Sequence, residues 1–314
     1  MKRDSSIYVA GHTGLIGSAI ARRLKAEGYK NIITRRHEEL DLTDRQKTEA
    51  FFTDEKPEYV FLSAAKVGGI YANSAYPAEF IYENLMIQTN TIDLSYRYGV
   101  KKLIFLISSC VYPKACPQPM REERILTGPI EPTSEPFAMA KLAGMEMCRA
   151  YDRQYGANFI SVIAANIYGI NDHLDDGSHV VSALIKRFHR AKTKGEEAVT
   201  IWGSGKPTRD FLYADDLADA CLFLMDRYDS SGPINVGTGV ETSIKELAAL
   251  VKEISGFQGK IIYDTVKPDG NPRRLLDSGK IKALGWKPGI PLEKGLELTY
   301  NWYKGLEITA ASKR

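Results

Sequence analysis

The chain has 314 residues, 44% of them hydrophobic, and its 42 basic and 39 acidic side chains leave a net charge of +3. That is enough apolar material for a large core, as one α/β unit or two unequal lobes, and the charge is too balanced for a nucleic-acid surface. No stretch reaches the roughly 18 apolar residues of a membrane span. In chain order, short apolar runs at 7–10, 31–34, 59–63, 103–108 and 159–164 read as buried strands. They alternate with amphipathic stretches at 15–28, 43–55, 77–98 and 137–155 that read as helices, the pattern of a doubly wound parallel sheet. Thr43-Asp-Arg-Gln46 and Ser243-Ile-Lys-Glu246 have the form of capping boxes. After about residue 168 loops containing Gly and Pro take over, with helices expected at 180–193, 214–226 and 243–255 and a strand near 199–202.

The expected fold class is therefore α/β. A Rossmann-type sheet covers 1–168, with 210–240 returning to it, and a smaller C-terminal substrate-binding lobe covers 169–314. Cys110, Cys116, Cys148 and Cys221 show no Cys-x-x-Cys spacing, which speaks against a metal centre or a disulfide framework. The opening residues run into the first strand without the apolar stretch of a signal peptide, so a reducing cytoplasm is the expected compartment.

Gly11-His-Thr-Gly14-Leu-Ile-Gly17 joins the first strand to the first helix. Glycine permits a tight turn and the close approach of a pyrophosphate, whose charge is met by the helix N-terminus. A glycine triplet alone is weak evidence, because glycines also punctuate ordinary turns, but the strand before and helix after give it meaning. Gly11, Thr13, Gly14, Leu15, Ile16 and Gly17 are the candidate cofactor contacts. The second strand ends Thr34-Arg35-Arg36-His37, where an NAD enzyme would place an acid for the ribose 2′-hydroxyl. Arg35 and Arg36 favour the 2′-phosphate of NADP instead, the alternative being a solvated basic turn. Ala64 and Lys66 follow the third strand and would border the same crevice, although Lys66 reads equally as a surface lysine.

The fourth strand ends Ser108-Ser-Cys110-Val-Tyr-Pro113, so hydroxyls and a thiol emerge at the carboxyl edge of the sheet, where such folds bind ligands. In Phe137-Ala-Met-Ala-Lys141 the ring and the ammonium are four residues apart and share a helix face. Pro136 suits the first helical turn and Ser134 is placed to cap it.

Ser108, position 137 and Lys141, with the G-x-x-G-x-x-G spacing, resemble the Ser-Tyr-Lys triad of the extended short-chain dehydrogenase/reductase family. Ala65-Lys-Val-Gly-Gly-Ile70, Ser108 to Lys114, Ser178-His179-Val, Trp202-Gly-Ser-Gly205, Asn235-Val-Gly-Thr-Gly239 and Lys267-Pro-Asp-Gly270 narrow the resemblance to the GDP-L-fucose synthase family. These are epimerase-reductases acting on GDP-4-keto-6-deoxy-mannose. The resemblance runs over nearly the whole chain. It implies that Cys110 and His179 exchange protons at C3 and C5 and that His179 also borders the cofactor. It further implies that Ser108 holds the C4 carbonyl, that Lys141 binds the nicotinamide ribose, and that NADP is the cofactor. Arg187 and Arg209 would pair with the substrate diphosphate, Trp202 would lie against the guanosine and Asn166 near the sugar. The family commonly dimerises through the helices at 77–98 and 137–155.

Read without the family, Cys110 is a small buried hydrophobe, His179 a capping residue, and the two arginines a solvated face or partners of Asp210. Asp215-Asp216 reads as capping and dipole compensation at a helix start, not as a catalytic carboxylate pair. Two positions depart from the family. Thr13 stands where many members carry a basic residue, and Phe137 stands where they carry the tyrosine that protonates the C4 oxygen. Three accounts of Phe137 are open: an engineered replacement of the tyrosine, a chain that epimerises without reducing, or a proton supplied by Tyr112 or Tyr168. A related sugar, dideoxy or heptose, and a catalytically silent nucleotide-sugar or NADP binder are the alternative functions.

Overall fold

The computed structural model describes residues 1–173 and 179–311, so Ser178 of the Ser178-His179-Val motif lies outside the described residues. The buried run Ser6–Ala10 forms β1 and feeds α1, Leu15–Ala26, through Gly11. The alternation continues with β2 (Asn31–Ile33), α2 (Arg45–Glu55), β3 (Tyr59–Leu62), α3 (Ile70–Ala75) and α4 (Pro77–Arg97). Then follow β4 (Lys102–Ser108), α5 (Glu135–Tyr155) and β5 (Phe159–Ala164). Beyond β5 the chain leaves the sheet through β6 (Asn166–Tyr168), α6 (Val180–Lys194), β7 (Ala198–Trp202), β8 (Thr208–Arg209) and β9 (Phe211–Tyr213). It then returns: α7 (Ala214–Arg227) packs on α1, and β10 (Ile234–Val236) pairs with β5.

The result is a six-stranded sheet in the order β10-β5-β4-β3-β1-β2, with every pairing parallel. Helical crossovers cover both faces of such a sheet. Accordingly all six residues of β5, and all of β4 but Ser108, are buried. Chain order reverses at β1, whose neighbours are β2 and β3, and ligands bind at the carboxyl edge beside that switch point.

The remaining elements are β11 (Thr242–Ser243), α8 (Ile244–Ser255), β12 (Lys260–Asp264), β13 (Arg273–Arg274), α9 (Gly279–Ala283) and α10 (Leu292–Ala311). A second apolar cluster, with Phe188, Ile201, Leu247, Val251 and Leu296 at its centre, joins α6, α8 and α10 to β7. β7 pairs with β12, β6 with β9, and β8 lies between β11 and β13. No described helix is long and apolar enough to cross a membrane.

Local details differ from the sequence reading where side chains find better partners. Asp44, not Thr43, caps α2, accepting from the Gln46 and Lys47 amides, while Thr43 bonds back to Asp41. The region 77–98 is preceded by the separate helix α3, and Tyr76 stands between α3 and the proline that opens α4. Ser134 makes no capping bond, because a 3₁₀ turn over Pro132–Ser134 runs straight into α5. Asp216 accepts the Gly289 and Ile290 amides and Asp215 pairs with Arg22, so both serve tertiary contacts and neither caps its own helix. The Ser243–Glu246 box forms in full.

Candidate active site

One cleft of about 950 Å³ runs along the carboxyl edge of the sheet. Its dinucleotide end begins at Gly11, which is in the left-handed region with φ of 81°. A Cβ on Gly11 would lie 2.7 Å from the Ala64 amide nitrogen, and one on Gly17 would lie 2.1 Å from the Gly11 carbonyl oxygen. These two glycines are demanded by the turn itself. Gly14 is different: its Cβ would meet nothing closer than the Gly11 oxygen at 3.6 Å. Gly14 is also the N-cap of α1 and supplies no side-chain acceptor, so the first amides of α1 are left for an anion. The loop fits a pyrophosphate on observations independent of the motif.

Thr13, Leu15, Ile16, Arg35, Ala64 and Lys66 all line the cleft. Arg35, however, is committed to an ion pair with Glu55 and lies over the Phe51 ring. Arg36 does not line the cleft, and its charge bears instead on His12, whose imidazole burial and Arg36 together hold below its usual range. His37, which the sequence reading passed over, does line it. Lys66 is held by Glu79 and by Glu83 at 2.6 Å.

At the reacting end, β4 delivers Ser108 and the 3₁₀ turn Ser109–Val111 delivers Cys110, both into the cleft. The Ser108 hydroxyl accepts from the Cys110 amide at 3.4 Å. α5 places Phe137 and Lys141 on the facing wall. The Phe137 ring packs edge-on against Phe80 at 6.5 Å, and the Lys141 ammonium sits 5.7 Å from the Phe137 ring centre and 4.7 Å from that of Phe105. Lys141 is buried and has no hydrogen-bond partner among the described residues. Burial pulls its ammonium down to about 8. A buried cation without an acceptor suits ribose hydroxyls arriving from outside. Burial pushes the Cys110 thiol up, against the Ser108 hydroxyl and the charges of Arg274 and Lys141. Neither alternative phenol is free: Tyr112 donates to Asn235 and Tyr168 to the Leu292 carbonyl, and neither lines the cleft.

His179 and Asn166 complete the cleft wall. His179 precedes α6 but makes no capping bond with its side chain. Its Nδ1 lies 3.2 Å from Oδ1 of the buried Asp172.

Arg187, Trp202 and Arg209 lie outside this cleft. The exposed Trp202 ring has the Arg187 guanidinium at 5.9 Å and the Lys267 ammonium at 5.4 Å. Arg209 donates to the Thr208 and Asn271 carbonyls, and burial with the Arg274 charge pulls it down to about 10. It does not pair with Asp210, which accepts from Thr238 and Gly239. Arg274 pairs in register with Arg209 across β8 and β13 and donates to the Ser109 carbonyl at 3.0 Å. Two adjacent guanidiniums with no carboxylate partner among the described residues thus border the Cys110 turn. Sequence reading missed Arg274 and Asp172. Arg274 stands four residues past the quoted Lys267–Gly270 motif, and nothing local marks Asp172.

The model of the NAD dependent epimerase/dehydratase family matches residues 7–237. Over 304 residues the chain is 56% identical to a putative GDP-L-fucose synthase 2 of Arabidopsis thaliana, an alignment covering 96% of this chain and 93% of that protein. Among solved structures, a GDP-6-OMe-4-keto-L-xylo-heptose reductase from Campylobacter jejuni superposes with a TM-score of 0.92 at 40% identity, covering 98% of this chain and 99% of the other. A GDP-L-fucose synthetase from Naegleria fowleri bound to NADP gives 0.91 at 29% identity, covering 98% and 97%.

Proposed function

Because the chain belongs to the NAD-dependent epimerase/dehydratase family, we propose that it acts on GDP-4-keto-6-deoxy-D-mannose as an NADPH-dependent 3,5-epimerase and C4 reductase. The product is GDP-L-fucose, and Phe137 weakens the reductive half. The observation that carries this reading is the single cleft in which the glycine turn, Lys141, Ser108, Cys110 and His179 meet.

A C4 ketone acidifies the protons on C3 and C5, so epimerisation needs one group to take a proton and another to return it on the opposite face. We assign these tasks to Cys110 and His179. Burial raises the Cys110 thiol overall, and the Ser108 hydroxyl and the charges of Arg274 and Lys141 work against that rise, towards the thiolate that such a base requires. Ser108 donates a hydrogen bond to the C4 oxygen, and Lys141 holds the ribose hydroxyls of the cofactor. NADPH, when bound, supplies the hydride. Phe137 keeps the ring and its packing on Phe80 but has no proton for the C4 oxygen. Losing a general acid costs about 10²–10⁴ in rate, or roughly 3–5 kcal/mol of barrier.

Arg209, Arg274 and Arg187 would meet the diphosphate, Trp202 the guanosine and Asn166 the sugar. Residues 1–168 with 210–240 form the cofactor unit and 169–314 the substrate unit. The NADP preference draws on the NADP-bound relative and on Arg35, which lines the cleft although it also pairs with Glu55. A homodimer through α4 and α5 would cover the exposed Tyr76, Tyr82 and Met139, and the free cysteines suit a cytoplasmic home.

The test is NADPH oxidation with GDP-4-keto-6-deoxy-mannose by this chain beside its Phe137→Tyr variant. A rise of about 10²–10⁴ on restoring the phenol is expected; equal, rapid turnover in both would mean that another group donates the proton. Solvent deuterium should enter C3 and C5 already in the parent chain, whereas a silent binder would give none. The likeness to the heptose reductase favours one second reading, C4 reduction of a GDP-4-keto-heptose, which the same assay with that sugar decides.

A further inference from the structure

Asp172 is 4% exposed, and three donors converge on its carboxylate. The His173 amide lies 2.9 Å and His179 Nδ1 3.2 Å from Oδ1, while the Ser182 hydroxyl donates to Oδ2 at 2.5 Å. Ser182 belongs to the first turn of α6, so the carboxylate also sits at the positive end of that helix. The carboxylate is thereby held in one orientation by groups other than the imidazole. A carboxylate only accepts hydrogen bonds, so the nitrogen facing it must carry a proton. The neutral imidazole is then the Nδ1–H tautomer, and Nε2 is its basic nitrogen.

We propose that Asp172 is a positioning residue that fixes the tautomer and ring orientation of His179 and stabilises the imidazolium from which Nε2 returns a proton to the sugar. The proposal rests on the reading of His179 as an acid–base group. It explains why a buried anion is retained beside the cleft: the Ser182 and His173 bonds hold the carboxylate still, and its remaining contact holds the imidazole. The same division of labour orients the histidine in hydrolase triads.

Three measurements test it, the two on variants reading epimerisation, which does not need a tyrosine at 137. First, ¹⁵N spectroscopy of the parent chain, at a pH where the ring is neutral, should show the His179 proton on Nδ1; a proton on Nε2 overturns the proposal without any variant. Second, Asp172→Asn should lower the turnover of deuterium exchange at C3 and C5 by about 10² or more. The KM for the ketosugar and the affinity for NADPH should stay unchanged, and Asp172→Glu should restore part of the loss. Parental exchange in Asp172→Asn, or a loss matched by weakened sugar and NADPH binding, overturns the proposal. Third, Ser182→Ala should cost less than Asp172→Asn, since it leaves the imidazole contact in place; an equal loss would mean that the carboxylate only anchors α6. His179→Gln separates the two levels of inference. If it abolishes exchange while Asp172→Asn does not, the assignment of His179 stands and the role of Asp172 falls. If exchange survives in His179→Gln, both fall.

Discussion

The two ends of the cleft are built in different ways. At the dinucleotide end one continuous stretch, residues 11–17, makes the turn, the glycine surface and the helix N-terminus, and it folds against the start of the segment after β3. At the reacting end Ser108 and Cys110 come from β4 and its turn, Phe137 and Lys141 from α5, His179 from the start of α6, and Arg274 from β13. The first end is packed so closely that its backbone admits only glycine at two positions. The second buries charge that the protein alone does not satisfy. Stability and function should therefore separate differently at the two ends.

At the dinucleotide end Gly17→Ala should have the largest effect, because its Cβ would meet backbone that cannot yield, at 2.1 Å. A loss of about 3 kcal/mol, at the upper end for overpacking, should appear in urea unfolding. An unchanged midpoint would show that the turn is looser than its packing implies.

At the reacting end Lys141→Met should instead stabilise the apo protein while abolishing activity. Burial lowers the ammonium from 10.5 to about 8, so between those values the unfolded chain binds the proton that the folded chain has lost. Stability therefore rises with pH across that window, and the full cost of burial is present below about pH 8. Removing the charge should gain up to about 3 kcal/mol at neutral pH, and the gain should vanish towards pH 10.5. A pH-independent gain would mean that packing, not charge, sets the difference.

Smaller effects sharpen the contrast. Gly14→Ala should leave the unfolding midpoint in place, since its Cβ has room, yet weaken NADPH binding about tenfold, or 1.4 kcal/mol. A matching loss of stability would make Gly14 another packing glycine. Arg274→Gln should raise the Cys110 thiol further and slow its alkylation at mildly alkaline pH, and unaltered alkylation would mean that Lys141 alone supplies the favourable charge.

The parallel sheet was legible because its strands are buried on both faces and read as continuous apolar runs. The glycine turn was legible because its geometry is set within seven residues. Ser108, Cys110, Lys141 and His179 were named from motifs, and all four line one cleft. Arg36 went astray because sequence shows which charges are adjacent but not which way a guanidinium turns, and Arg35 is drawn off by Glu55, twenty residues away in the chain. Thr43 lost its cap to Asp44 for a local reason, a one-residue shift that propensity does not resolve.

What the sequence by itself determined is whatever depends on neighbours in the chain: the strand–turn–helix that opens the cleft, the shared helix face of positions 137 and 141, and the missing hydroxyl at 137. Only the tertiary structure decided the pairings across the chain. These are Arg274 against the Ser109 turn, Arg209 beside Arg274 and apart from Asp210, Tyr112 and Tyr168 tied up by distant acceptors, and Asp172 against His179. The physical reason is that a buried charge or hydroxyl takes whichever partner the packed core brings within about 3 Å, and local spacing carries no record of that choice.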